Sequence, residues 1–255
     1  MFLLLARLSR SFRAHDWFTG AVELVLLVIG IFIGFQLDRW NGERLEQKEA
    51  DEYSLQLLED LTIELHDVSN MIDYLEQVRT YGATALTAWD DNPAADAETL
   101  IVAFYQASNV LPFSSLRGTF DALSNKGLMN LIGGPGFSSR LSAYYGQALN
   151  SVLDQSTAYR MEIRGIMPNP VQAAIRNGCS RLVSDELLKE QLINDCDIGV
   201  SESAAQQILA DITQYPKMRF YLRQTISRDS VSIYVLQTKR KMIEDLRAEL
   251  KSFQD

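Results

Sequence analysis

The residues that most often perform catalysis are few in this chain and lie far apart. His15 and His66 are the only histidines among the 255 residues. A Ser-His-Asp or Cys-His site needs a nucleophile within hydrogen-bond reach of a histidine, and nothing near His66 in the sequence suggests one. His66 is therefore interpreted as a surface or inter-helix residue. We predict no catalytic residue, and we expect that the protein is not an enzyme.

Metal and phosphate chemistry has equally little support. Neither Cys179 nor Cys196 belongs to a close Cys/His pair of the kind that binds zinc. No Glu has a His three positions later, which is the spacing of di-iron sites in helical bundles. The glycine-rich run at 133–136 (GGPG) lacks the Lys-Ser/Thr ending of a phosphate-binding loop, so it predicts a turn. We predict no metal ligand, no cofactor-binding residue and no cofactor.

The two cysteines are instead candidates for a disulfide. They lie 17 positions apart, and the segment between them can fold back on itself. If that segment lies outside the cytoplasm, a bridge between Cys179 and Cys196 is expected, because disulfides persist in oxidising compartments. It would stabilise the fold by about 3 kcal/mol in the chain-entropy model. The alternative is a pair of unbridged, buried thiols.

The charge of the chain argues against nucleic acid as a partner. The sequence has 33 acidic and 24 basic residues, which gives a formal net charge of −9. Such a surface repels phosphate backbones, and no basic stripe offsets it. The short basic run at 239–241, which begins with Lys239, is interpreted as a solvated helix face.

The elements that would position any site begin with a predicted membrane anchor at residues 18–40. Residues 18–37 read FTGAVELVLLVIGIFIGFQL; as a helix they span about 30 Å, the thickness of a bilayer's hydrocarbon core. Trp17 and Trp40 bracket this segment, where aromatic rings favour the membrane interface. Cleavage of a signal peptide needs small residues after the apolar run, whereas Asp38 and Arg39 stand there in this chain. The sequence therefore predicts an uncleaved signal anchor in contact with membrane lipid.

The orientation of the anchor rests on weaker signals. Three basic residues flank the anchor on each side, so the positive charges favour neither orientation. No later stretch could return the chain across the membrane, and a leading anchor with a basic N-terminal flank usually exports the C-terminal part of its chain. We therefore expect a single-pass protein whose body lies outside the cytoplasm. Residues 1–17 predict either a basic amphipathic helix on the cytoplasmic membrane surface or a frayed tail.

Three residues within the anchor are candidates for helix–helix packing. Gly30 and Gly34 form a Gly-x-x-x-Gly pair, which lets two membrane helices approach closely, although such pairs also arise by chance. Glu23 lies about one turn inside the apolar segment, where a carboxylate either contacts a partner helix or extends to the interface. We expect self-association or contact with another membrane protein through this helix.

The remaining residues, 41–255, predict an all-α domain. Apolar residues repeat at spacings of three and four, which indicates one long helix over about 41–89, continuous with the anchor. Acidic residues, Glu64 among them, are placed on its solvated faces. The apolar repeat comprises Leu58, Leu61, Leu65, Val68, Ile72 and Leu75.

A second long helical region is predicted at 202–253, with a bend near Tyr215-Pro216. Two long helices of this kind pack as an antiparallel pair, which shorter helices complete to an elongated bundle. The shorter helices are expected at about 95–109, after a Ser114 or Ser115 cap through about 131, and from Ser138 to Ile166. Strand signals are almost absent.

Two segments of the chain resemble a known family. Residues 23–31 (ELVLLVIGI) and 36–41 (QLDRWN) are similar to the anchor motif of a bacterial family of single-anchor membrane proteins whose domain has no assigned function. Asp38 stands where that family usually has Asn. Residues 119–128 and 141–145 also resemble the family, whereas the last third does not. The resemblance implies a protein of the bacterial cell membrane and supports Glu23 and Trp40 as important to the anchor, but it brings no activity with it.

Two functional hypotheses of different classes remain. The first is a non-enzymatic structural or accessory protein, whose anchor packs against partner membrane proteins and whose body docks on a partner. The second is an extracytoplasmic sensor or ligand-binding helical bundle that signals through a partner, because the long membrane-proximal helix could transmit a shift. The short segment before the anchor offers no output domain, so a sensor would depend on that partner.

Overall fold

The computed structural model describes residues 17–93, 95–111, 113–147, 157–182, 190–193 and 196–254. Within these ranges the chain is almost entirely helical, which confirms the predicted fold class. The amphipathic helix predicted for residues 1–17 lies outside the described residues, apart from Trp17. Eight α-helices and one small hairpin are described. In chain order they are α1 Trp17–Leu86, α2 Ala97–Gln106, α3 Gly118–Lys126, α4 Phe137–Gly146, α5 Ala158–Ile166, α6 Asn169–Gly178, β1 Ser180–Leu182, β2 Glu190–Leu192, α7 Glu202–Gln214 and α8 Met218–Gln254.

Helix α1 runs without interruption through 70 residues, from the predicted anchor into the body. A 3-10 turn at Thr87–Trp89 tightens its C-terminal end, and Asp90 then adopts an extended conformation. The predicted single helix through Trp89, continuous with the anchor, is therefore confirmed. Because no Pro interrupts the backbone hydrogen bonds of α1, the anchor and the body form one helical rod.

Helices α1 and α8 form the long antiparallel pair that the sequence predicts. Arg247 Nε donates to Thr62 Oγ1 at 3.1 Å, and further along α1 Gly82 lies against Ile226. The residue numbers in contact therefore decrease along α8 as they increase along α1, which shows that the two helices are antiparallel. The predicted bend before α8 is also present, since Tyr215 is extended after α7 and Lys217 has a φ of 70°.

The apolar core consists of two clusters along this pair. The first lies between residues 50–78 of α1 and residues 233–250 of α8, and α3 and α4 close it. The second lies around α2 and is built with α5, α6, α7 and the start of α8. The short helices are therefore positioned by burial against one of two long helices, as in other bundles.

Two local predictions were wrong, and one small element was not predicted. Neither Ser114 nor Ser115 caps a helix, because α3 begins after Arg117 without a side-chain cap. The helix predicted from Ser138 to Ile166 is not continuous: Gln147 is extended after α4, and Thr157 caps α5 by accepting from the Arg160 amide. The antiparallel hairpin of β1 and β2 pairs Ser180 with Leu192 and was not predicted.

The glycine-rich run at 133–136 forms the turn before α4, and Gly133 is essential to its geometry. Its φ is +68°, and an added Cβ would lie 2.7 Å from the Cβ of Phe137, which is fully buried. We expect Gly133→Ala to lower the free energy of unfolding by about 1–3 kcal/mol through backbone strain and overpacking. Gly165→Ala is the matched control, because Gly165 lies in α5 with open space around it and alanine favours a helix. Denaturant unfolding of the full chain in detergent, followed by circular dichroism, measures both; equal stabilities would contradict the strained turn.

Candidate functional site: the exposed anchor and the buried ion pair

The N-terminal part of α1 projects away from the body. Within the described ranges, α1 is the one helix long and apolar enough to cross a membrane, with a mean hydropathy of 2.2 over 18 residues. Trp17 and Trp40, at the two ends of the apolar segment, are 71% and 61% exposed. Glu23 is exposed on the same segment. A helix this apolar with no cover is a candidate membrane anchor, because lipid would supply the apolar surroundings that the body does not.

The glycines of the anchor have open surroundings. A Cβ added to Gly30 or Gly34 would meet no described atom within 4 Å. Neither glycine is therefore needed for packing inside the chain, as far as the described residues extend. The same spacing in a membrane helix allows close approach of a second helix, so this face is free for a partner.

A short stalk, defined as residues 38–46, links the anchor to the body. Its side chains are mostly exposed, and Arg39 Nε pairs with Glu43 Oε1 at 2.8 Å one turn later. Contacts with the body are present at Gln47, which donates to the Leu131 carbonyl at 3.4 Å, and at Glu49, which pairs with Lys126. Just after the stalk, these two contacts therefore attach α1 to the surface of the body.

The body contains a buried ion pair that sequence reasoning missed. Lys239 Nζ lies 3.5 Å from Glu64 Oε1, and both side chains are only 1% exposed. The interpretation of Glu64 as a solvated residue of α1 and of Lys239 as part of a solvated basic run was therefore wrong. The signal was available: Glu64 falls three residues after Leu61 and four before Val68, both of which are fully buried, so it occupies a core position of the repeat.

Aromatic and hydroxyl groups complete the surroundings of this pair. Lys239 Nζ lies 3.7 Å from the ring centre of Tyr144 and 4.9 Å from that of Phe113, and it donates to Ser115 Oγ at 3.1 Å. An ammonium over an aromatic face is attracted by the ring's quadrupole. The pair thus joins α1 and α8 to α4 and to the segment that precedes α3.

The protonation of the pair is set by burial. Burial lowers the pKa of Lys239, and the nearby Glu64 carboxylate partly opposes that shift. Burial also raises the pKa of Tyr144, and Glu64 raises it further. The Lys239 ammonium, 3.5 Å from Glu64 Oε1, is the main compensation for the carboxylate charge. Such a pair is a strong constraint on helix packing and a weak source of stability.

A second polar cluster fixes the C-terminal end of α2. Arg164 Nη2 donates to Asn109 Oδ1 at 2.7 Å, Arg164 Nε donates to Ser108 Oγ at 3.0 Å, and Arg160 donates to the Ser108 carbonyl at 2.7 Å. The Arg164 guanidinium also lies 4.4 Å from the ring centre of Tyr105. Cations next to a helix C-terminus neutralise its partial negative charge. The cluster therefore holds α5 against α2, and no spacing in the sequence reveals it.

The two cysteines lie together beside the hairpin. Cys179 and Cys196 form a disulfide, with their Cα atoms 5.2 Å apart, and Cys179 is fully buried. The bridge ties the segment after α6 to the segment before α7. Next to it, Gln106 donates to the Cys179 carbonyl at 3.1 Å, which connects the bridged loop to α2.

Two further candidates for chemistry are His66 and any cluster of metal-ligating side chains. His66 is exposed on α1. Among the residues that the structure describes, no three His, Cys, Asp or Glu side chains are arranged to hold a metal ion. No family model, curated protein or solved structure matches the chain.

Proposed function

We propose that this chain is a non-enzymatic, membrane-anchored accessory or structural protein. In this proposal the anchor packs against partner membrane proteins and the helical body docks on a partner at the membrane surface. The observation that carries the proposal is the unbroken helix α1, which joins an exposed apolar segment to the core of the body over 70 residues. A rigid connection of this kind holds the body at a fixed height and rotation relative to the bilayer.

The proposed location is a bacterial cell membrane, with the body outside the cytoplasm. The resemblance of residues 23–41 to a bacterial single-anchor family supports the membrane type. The Cys179–Cys196 disulfide supports the orientation, because such bridges are stable in oxidising compartments and rare in the cytosol.

Extraction from native membranes in a mild detergent tests the proposal. We expect the wild-type chain to migrate as a complex, either with another membrane protein or with a second copy of itself. The substitutions Gly30→Leu and Gly34→Leu should abolish this complex, because added side chains prevent close helix approach. Val28→Leu with Phe32→Leu is the matched control, since both residues lie on the opposite side of the same helix. A wild-type chain that migrates as a monomer with no associated protein would contradict the accessory role.

One observation favours the alternative of a ligand-binding sensor. A groove of about 530 Å³ lies along the membrane-continuous helix α1, where Thr99 of α2 borders it. Its α1 lining is polar, and it includes Asp73, Gln77 and Thr80. A ligand there would contact the same helix that crosses the membrane, and it could shift that helix. The accessory role remains the stronger proposal, because the groove is open to solvent and does not enclose a ligand.

A further inference from the structure

One side of α1 remains uncovered far beyond the anchor. Residues at spacings of three and four from Glu23 to His66 form a single stripe on a straight helix, here named the outer stripe. Every member is exposed, whereas Ala50, Ser54, Leu57 and Leu61 on the opposite side of the helix are buried in the body. The outer stripe comprises Glu23, Leu27, Gly30, Gly34, Leu37, Asn41, Leu45, Lys48, Glu52, Leu55, Glu59, Ile63 and His66.

The outer stripe collects the exposed apolar residues of α1. Beyond Trp40, the large apolar side chains of α1 that remain exposed are Leu45, Leu55 and Ile63, and all three lie on the stripe. Leu55 is 60% exposed, although it belongs to a helix whose other sides are charged or packed. Single exposed apolar residues are ordinary. Three that align with the Gly30/Gly34 face of the anchor define one continuous surface from the membrane into the body.

We propose that a second copy of this chain covers the outer stripe, so that two α1 helices form a parallel pair. The proposal deepens the proposed function and rests on its membrane anchor, because anchors inserted in the same direction force the two helices to be parallel. Asn41 would then face Asn41 of the second copy, where the two side-chain amides can hydrogen-bond to each other. Lys48 and Glu52 lie one turn apart, so each Lys48 can pair with Glu52 of the other copy.

The anchor and the stripe contribute different parts of this association. Gly30 and Gly34 allow close approach inside the bilayer, and the membrane raises the effective concentration of the two stripes. Charged residues separate Leu45, Leu55 and Ile63, so the stripe in water sets register and orientation more than affinity. The Glu23 carboxylates lie near the lipid boundary, where they can reach water instead of facing each other.

Cysteine crosslinking of the full chain in lipid vesicles tests the pair. Leu45→Cys and Leu55→Cys place a thiol on the outer stripe, whereas Glu46→Cys and Asp51→Cys place one on exposed positions away from it. The native cysteines are already bridged, so the wild-type chain reports the background. After oxidation with copper phenanthroline at high lipid-to-protein ratio, we expect at least about fivefold more dimer from the stripe variants, because only their thiols face each other across a parallel pair. Gly30→Leu with Gly34→Leu in the Leu45→Cys chain should remove most of it.

The other possible results contradict either the dimer or the membrane anchor. Equal dimer from all four positions means random collision, and no dimer from any position means that a second copy does not cover the stripe. In parallel, alkaline extraction of the same vesicles measures whether the chain stays in the membrane. A chain that stays in the vesicles without crosslinking contradicts the dimer and leaves the anchored accessory role intact. A chain released by alkali contradicts the anchor, and the dimer proposal with it.

Discussion

Replacing Lys239 with Met is expected to lower the free energy of unfolding by about 3–5 kcal/mol. The substitution keeps the length of the side chain but removes the ammonium that lies 3.5 Å from Glu64 Oε1. Glu64 would then hold a buried charge beside Tyr144 without a cation to compensate for it. Leaving one member of a buried pair uncompensated costs more than the pair itself contributes.

The double substitution Glu64→Leu with Lys239→Met separates charge from packing. Replacing a whole buried pair with apolar residues of similar volume is often neutral or stabilising, so we expect the double variant to be far more stable than the single one. Lys241→Met is the surface control, because Lys241 is exposed two positions later on α8; it should change stability by less than about 0.5 kcal/mol.

Denaturant unfolding of the full chain in detergent gives all three differences. A Lys239→Met chain as stable as the Lys241→Met chain would show that the pair does not hold its charges in the folded protein. A double variant as unstable as the single one would assign the loss to packing of the Lys239 side chain over Tyr144 and Phe113. An uncompensated carboxylate requires that the single variant be the least stable of the three and that the double variant be about as stable as the surface control, or more stable.

The sequence predicts the large elements of this fold because long helices leave long periodic patterns. The apolar repeat from Leu58 to Leu75 recurs over enough turns to identify α1 despite single exceptions. The bend at Tyr215-Pro216 was predicted because a Pro disfavours helix in the residue before it. The sequence signals that end a helix are weaker over 147–157. This segment contains no Pro, and nothing in the sequence distinguishes Thr157, which caps α5, from any other threonine.

The buried charges could not be predicted in the same way. Glu64 and Lys239 are on average surface residues, and a pattern that counts residue types places both in water. Only the positions of their neighbours reveal them, and this requires knowing that two helices 175 residues apart in the chain, counted from Glu64 to Lys239, face each other. Arg164 and Asp229 could not be predicted as buried or part-buried charges for the same reason, because their surroundings come from other helices. Periodicity reports which side of a helix is buried, whereas a pair between distant helices is information about topology.

Asp229 is expected to make the protein less stable as the pH rises from about 4 to about 7. The carboxyl is buried on α8, and burial raises its pKa from 3.8 to about 7, against the opposing effect of Arg228 and Arg79. The buried hydroxyl of Tyr159 is its other titratable neighbour. Between these two pH values the folded chain binds a proton that the unfolded chain has released, so stability falls as pH increases. A shift of this size corresponds to about 4 kcal/mol as an upper estimate.

The substitution Asp229→Asn removes the titration and keeps the shape of the side chain. Its free energy of unfolding should therefore change less between pH 5 and pH 8 than that of the wild type, with the gain appearing at pH 8, where the wild type holds a buried carboxylate. Asp245→Asn on the exposed side of α8 is the control and should show the wild-type profile. Identical profiles for the Asp229→Asn and wild-type chains would mean that Arg228 and Arg79 keep Asp229 ionised in the folded protein. The buried charge of Asp229 would then be compensated by these arginines, as the charge of Glu64 is compensated by Lys239, and not by uptake of a proton.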